Sequence, residues 1–246
     1  MKKKIINSIL DNLKTLFGAL ILAILIRSLI IQPFYIPSSS MEPTLLVGDR
    51  IFVSKITYGY SKHSFPFSPN FSSKRFFSKK PKRGDLVVFK TPADNRTDYI
   101  KRLIGLPGDE IQFINGELFI NQKRVMRKKI DEVLLIRCGN FTLETITYEE
   151  TLPNGVKHKV SYKKKGTLQN TKIYKVPNNQ YFLMGDNRDC SKDSRYLEEV
   201  GYVDILNLVG KAKIIFFSND TKKGSLFKIW NLHNSFRFNR TFKTLK

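Results

Sequence analysis

A chain of 246 residues with 41% hydrophobic side chains, 19 Phe and 10 Tyr carries enough apolar material for a sizeable core, which excludes global disorder. Its net charge of +22 suggests an anionic partner, either a membrane surface or nucleic acid, yet the basic residues are scattered and form no regular basic helix or recognition motif. Two cysteines, Cys138 and Cys190, are too few for a disulfide framework, and the sequence leaves open whether they pair. His63, His158 and His233 stand far apart, at no metal-ligand spacing, so no zinc site is expected.

The first element is apolar. Leu16 to Ile26 is unbroken, Arg27 and Ser28 interrupt, and Leu29-Ile30-Ile31 resumes the run. The unbroken part falls short of the ~20 residues a spanning helix needs. Leu13 to Ile31 is nearly long enough if Arg27 snorkels to the head groups. A basic start before a short apolar stretch also fits a cleavable secretory signal, but no A-x-A site follows, which favours an uncleaved anchor over residues 1–32. Lys2, Lys3, Lys4 and Lys14 place its N-terminal side in the cytoplasm by the positive-inside rule.

Beyond the anchor, Leu45 to Ile56 has the turn and short apolar run of a strand pair. Tyr58 to Lys82, rich in Phe, Ser, Lys and Pro, is expected to be a long loop whose aromatics rest on lipid. RGDLVVFK (Arg83 to Lys90) is a turn into a buried strand, and Tyr99 to Leu106 is another, closed by Pro107-Gly108. Asn115-Gly116 and Asn154-Gly155 each mark a hairpin between alternating segments. Tyr181 to Met184 enters GDNRDCSKDSR, and Val209 to Phe217 is the last strand. Almost nothing after residue 32 has a helical period, so the fold class is mainly β. Residues 218–246 form a basic tail with interleaved aromatics (Phe227, Trp230, Phe236, Phe238, Phe242), either lying on a surface or frayed.

Phe34 to Leu45 reads FYIPSSSMEPTL. A serine cluster between prolines is ordinarily hinge material. A nucleophilic serine needs a base, and no histidine falls where a buried turn or strand end is expected. Lysine can serve only when neutral. Lys101, with apolar Ile100 and Leu103 close by in the strand-like DYIKRLIGL, is the candidate, since burial disfavours the ammonium. Moving its pKa from ~10.4 to ~7 requires ~4.6 kcal/mol from the fold. The ordinary reading of any one lysine in so basic a chain remains a solvated charge.

Four segments in order, IPSSSMEPTL with GDRIFVSK following, RGDLVVFK, YIKRLIGLPGD and GDNRDCSKDSR, resemble the boxes of bacterial type I signal peptidases, which are membrane-bound serine–lysine proteases. The resemblance covers the anchor, Pro33 to Asp109 and Gly185 to Ala212. It implies an antiparallel β catalytic core (33–110 and 177–217), with residues 111–176 as an inserted second β subdomain. It further implies that Ser40 is the nucleophile, Lys101 its general base, Ser38 an oxyanion-hole donor and Ser191 the hydroxyl that orients the lysine. Arg102, Asp186, Asp193 and Arg195 would form bracing ion pairs. Ile36, Pro37, Met41, Leu45, Ile51, Val88, Tyr99 and Ile100 would surround pockets for small residues before the cut.

No metal or cofactor is implied. The implied partners are secreted preproteins and membrane lipid, with no nucleic acid, and the implied location is the inner membrane with the catalytic part on the outer face. Cys190 stands where the family usually has Asn, which raises the expectation of sensitivity to thiol reagents. The self-cleaving repressors of the DNA-damage response share the serine–lysine chemistry but lack an anchor. An inactive membrane tether binding anionic lipid or nucleic acid is the alternative, against which both Ser40 and Lys101 speak.

Overall fold

The computed structural model describes residues 2–70, 72–139, 141–164, 170–220 and 235–245. Helix α1 (Lys2–Leu29) has 28 residues, about 42 Å at the helical rise. Its stretch Ile6–Leu29 is long and apolar enough to cross a membrane, and its large apolar side chains from Ile6 to Ile26 are exposed. The helix stops three residues before the expected end of the anchor at residue 32, because Ile31 already belongs to a strand.

The strands follow in chain order: β1 (Ile31–Tyr35), β2 (Asp49–Ser54), β3 (Leu86–Lys90) and β4 (Asp98–Gly105); β5 (Glu110–Ile114), β6 (Glu117–Ile120), β7 (Lys123–Arg124), β8 (Met126–Cys138), β9 (Phe141–Thr151), β10 (Lys157–Lys163) and β11 (Tyr174–Lys175); then β12 (Gln180–Met184), β13 (Val203–Asp204), β14 (Leu208–Ser218) and β15 (Lys243–Thr244). The main sheet runs β1-β2-β14-β3-β4-β12-β13, with β15 added to β14, and its pairings are antiparallel. Pro33 is tolerated in β1 because that strand is an edge. β2 therefore pairs with β1 and β14; the strand pair expected within Leu45 to Ile56 does not form, and Leu45 packs in the core.

β3 is apolar at four consecutive positions because both faces of the sheet are covered. Leu86 and Val88 face a cluster with Met41, Ile51 and Val209, whereas Val87 and Phe89 face a second with Leu103, Leu183 and Leu208. Strands β5 to β11 form two smaller sheets, β10-β9-β8 and β11-β5-β6-β7. A third cluster joins their Ile111, Phe113 and Val160 to Ile104 of β4 and Phe182 of β12, so these strands share a core with the main sheet. At the Asn115-Gly116 turn both residues have positive φ, 51° and 73°, as a tight hairpin twist requires.

The tail is only partly as expected. Phe227 and Trp230 lie outside the described residues, but the end of the chain returns to the sheet. β15 pairs with β14, Leu245 enters the core, and Arg240 pairs with buried Asp49, so this part is neither frayed nor merely surface-lying. Phe238 and Phe242 remain exposed.

Candidate active site

The serine cluster is held from below. Ser38 is extended, and Ser39–Met41 make one 3-10 turn whose Met41 side chain is fully buried beside Leu45 and Ile51. From the other side the GDNRDC segment grips the turn: Asn187 N–H donates to Ser40 O at 3.1 Å, and its Nδ2 donates to Ser39 O at 3.3 Å. Gly185 makes this approach possible. A Cβ there would lie 2.2 Å from Ser191 Oγ and 2.5 Å from Ser40 O, closer than any side chain can sit.

β4 delivers Lys101 to the same point. Its Nζ lies 2.6 Å from Ser40 Oγ, and the side chain is only 4% exposed. As an ammonium it donates to that oxygen; as an amine it can accept the serine proton. Burial lowers its pKa to about 8, an effect that Asp193 partly opposes and Arg195 reinforces. That depression corresponds to about 3 kcal/mol favouring the neutral amine. Lys55 is also lowered to about 8, chiefly by burial, but it donates to the Ser64 carbonyl instead of meeting a hydroxyl nucleophile. Geometry, more than basicity, singles out Lys101. Ser38 Oγ lies 3.4 Å from Ser40 Oγ.

Two ion pairs flank the lysine. Arg102 binds Asp186 in bidentate fashion (2.8 and 2.7 Å), and Arg195 binds Asp193 likewise (2.7 and 2.8 Å). Burial alone would raise both carboxyl pKa values; the arginines outweigh it and hold them below the ordinary value. Asp193 also accepts from Gly185 N–H at 2.9 Å, and Thr44 donates to Asp186. These bonds connect the Gly185 segment to both β4 and the serine turn.

Ser191 departs from expectation. It is buried, but its hydroxyl makes no hydrogen bond among the described residues, so the lysine-orienting contact is absent from this geometry. The histidines depart too: His63 and His158 are 5% and 7% exposed, not surface groups. Neither serves Ser40. His63 Nδ1 faces Ser68 Oγ, and His158 Nε2 lies 3.4 Å from Glu150 and 3.9 Å from Asp186. A third buried pair, Arg188 with Glu150 and Tyr162, was not anticipated, although Arg188 lies inside the GDNRDC segment.

A cleft of about 490 Å³ opens over Ser40 and Lys101. Ile36, Pro37, Ile51, Val88, Tyr99 and Ile100 line it, as expected, but Met41 and Leu45 do not. Both are wholly buried in the core, where they support the serine turn. The cysteines form a disulfide, Cys138–Cys190, with Cα atoms 5.7 Å apart. It fastens the tip of the β8–β9 hairpin to the rim, so Gly139 and Cys190 both line the cleft. No free thiol remains, which overturns the expected sensitivity to thiol reagents.

Residues 9–217 match the family described as signal peptidase, peptidase S26. Signal peptidase I of Rickettsia typhi is 41% identical over 91% of this chain and 89% of its own length. The Rickettsia akari protein of the same description is 40% identical over 91% and 88%. A solved signal peptidase I from Enterococcus faecalis is 27% identical, covers 54% of this chain and 97% of its own, and has a TM-score of 0.33. With the family match spanning most of the chain and the sequence relatives covering nearly all of it, this chain belongs to the signal peptidase family, S26, the serine endopeptidases known as signal peptidase I.

Proposed function

We propose that this chain removes signal peptides from exported preproteins through a Ser40–Lys101 dyad. The observation that carries this reading is the 2.6 Å contact between Lys101 Nζ and Ser40 Oγ inside a buried site where the amine sheds its proton near pH 8. Neutral Lys101 takes the proton of Ser40 as Oγ attacks the scissile carbonyl. The oxyanion that develops is met by the Ser38 hydroxyl and the Ser40 N–H, donors worth ~2.7–4 kcal/mol each in comparable proteases. The lysine ammonium then protonates the leaving amine, which departs, and the neutral Lys101 so regenerated takes a proton from the water that attacks the acyl group; that proton returns to Ser40 Oγ as the ester bond breaks.

Substrate enters as an extended strand. β1 is the sheet edge, and β12 pairs with β4 only from Arg102 onward, so among the described residues no strand pairs with residues 98–101 on that side. A peptide lying between these two edges crosses the cleft with alternate side chains against Ile36, Ile51, Val88 and Ile100. These walls suit small apolar side chains, the Ala-x-Ala pattern. The chain acts as a single-pass protein with its N-terminal side cytoplasmic and the catalytic part outside, an orientation the disulfide favours because such bonds persist in oxidising compartments. Exposed Phe67, Phe76 and Phe77 then rest on lipid.

The test is direct: incubate the purified full chain in detergent with a preprotein and sequence the new N-terminus. A new terminus directly after an Ala-x-Ala segment supports the proposal. Undiminished cleavage by Ser40→Ala refutes the dyad, and no cleavage by the wild type returns the inactive-tether alternative.

A further inference from the structure

A second cavity, of about 480 Å³, lies under the last turn of α1 and is separated from the catalytic cleft by Phe34 and Asp98, which line both. Its charge is unbalanced. Arg27, Lys55, Lys62, Lys90 and Arg96 surround it with Asp98 as the sole carboxylate in its lining, and Asp98 is taken by Lys90 at 2.9 Å. The other four cations have no carboxylate within 4 Å among the described residues. Lys55 is 2% exposed, and burial together with Arg27 weakens its hold on a proton. Ser28, which also lines this space, is 3% exposed, and its buried hydroxyl has no hydrogen-bond partner among the described residues.

Like charges gathered around a shielded space repel one another unless an anion compensates them. The position indicates which anion is at hand. Arg27 and Ser28 are in the final turn of the candidate span, so the cavity mouth sits at the level of lipid head groups. Pro66 and the fully exposed Phe67 form an apolar rim on the loop that was expected to touch lipid. We infer that this cavity holds the phosphate of an anionic membrane lipid, with Arg27, Lys55, Lys62, Arg96 and the Ser28 hydroxyl as its partners. The inference is independent of the Ser40–Lys101 reading.

The probe is phosphatidylglycerol. The purified full chain in non-ionic detergent is titrated with it while retained lipid is counted by native mass spectrometry and the thermal midpoint is followed. Phosphatidylcholine of equal chain length and inorganic phosphate serve as separate arms. One phosphatidylglycerol should be retained with a rising midpoint, and phosphatidylcholine should do neither. Lys62→Gln/Arg96→Gln, at positions that are not fully buried, should weaken retention at least tenfold, whereas Lys79→Gln/Lys80→Gln, the same charge change outside the cavity, should not. Equal loss in both double variants overturns the site in favour of diffuse attraction. No preference over phosphatidylcholine overturns it as well, and a full effect from inorganic phosphate, with none added by the lipid, overturns the lipid as the source.

Discussion

Lys101→Met keeps an unbranched side chain of similar length in the same buried slot and deletes the amine. The wild-type amine titrates near 8 in the folded chain, against 10.5 when unfolded. Below pH 8 both states hold the proton, so the folded state bears the whole cost of a buried ammonium, about 3 kcal/mol. Between the two values the unfolded chain binds a proton the folded chain has released, and wild-type stability rises with pH relative to the variant. Above 10.5 the cost is gone, and the wild type retains only its hydrogen bond to Ser40, worth about 1 kcal/mol. The variant should therefore be more stable by roughly 2 kcal/mol at pH 7 and less stable by about 1 kcal/mol above pH 10.5, while having no activity. Urea unfolding of both full chains in detergent, followed by far-UV circular dichroism at several pH values, reads the crossover. Parallel pH dependence in the two proteins would refute the burial argument.

Ser40→Ala should abolish preprotein processing and leave the circular dichroism unchanged, whereas Ser39→Ala should process at close to the wild-type rate. The wild-type cleavage rate should climb as pH rises through about 8, the point at which Lys101 loses its proton, and Lys101→Arg should be inactive throughout a stopped-assay pH series because guanidinium does not deprotonate. Ser191→Ala removes an unpartnered buried hydroxyl, so it should keep activity within a few-fold and gain up to about 1 kcal/mol in urea unfolding. Asp186→Ala strands the Arg102 guanidinium in the interior and should cost about 3–5 kcal/mol by the same measurement.

The proposed pair was legible only through the resemblance of whole segments: IPSSSMEPTL and YIKRLIGLPGD point to Ser40 and Lys101, whereas Lys101 read alone, with Ile100 before it and Arg102 after it, is an ordinary charge. The elimination that favoured Lys101 had a wrong premise, since His63 and His158 are both buried. The alternation of β10, in which His158, Val160 and Tyr162 point inward, carries a signal that would have placed His158 inside. What the sequence concealed is long-range. Arg188 finds Glu150 across 38 residues and Cys138 finds Cys190 across 52, and no local pattern announces either meeting. The resemblance implied that Met41 and Leu45 surround the cleft, but the chain after Ser40 turns both to the opposite side, into the core. The return of the tail to β14 was hidden for the same reason, its partner strand lying some 30 residues earlier in the basic, aromatic-rich end of the chain.

No linker separates α1 from the sheet. The Leu29 carbonyl accepts from Tyr60 Oη at 2.8 Å, the Ile30 carbonyl from Lys55 N–H at 3.1 Å, and β1 begins at Ile31. Ser40 follows nine residues later, no more than ~30 Å away even for a fully extended chain. On the proposed function, Ser40 Oγ is then held at one height relative to the end of the helix, like a blade on a fixed stand. A peptide bond that emerges above or below that plane misses it, whatever residues flank the bond. The length of a preprotein's apolar segment would, on that proposed function, become a selection criterion in its own right, measured from the junction at Leu29–Ile31 before any side chain is read in the cleft.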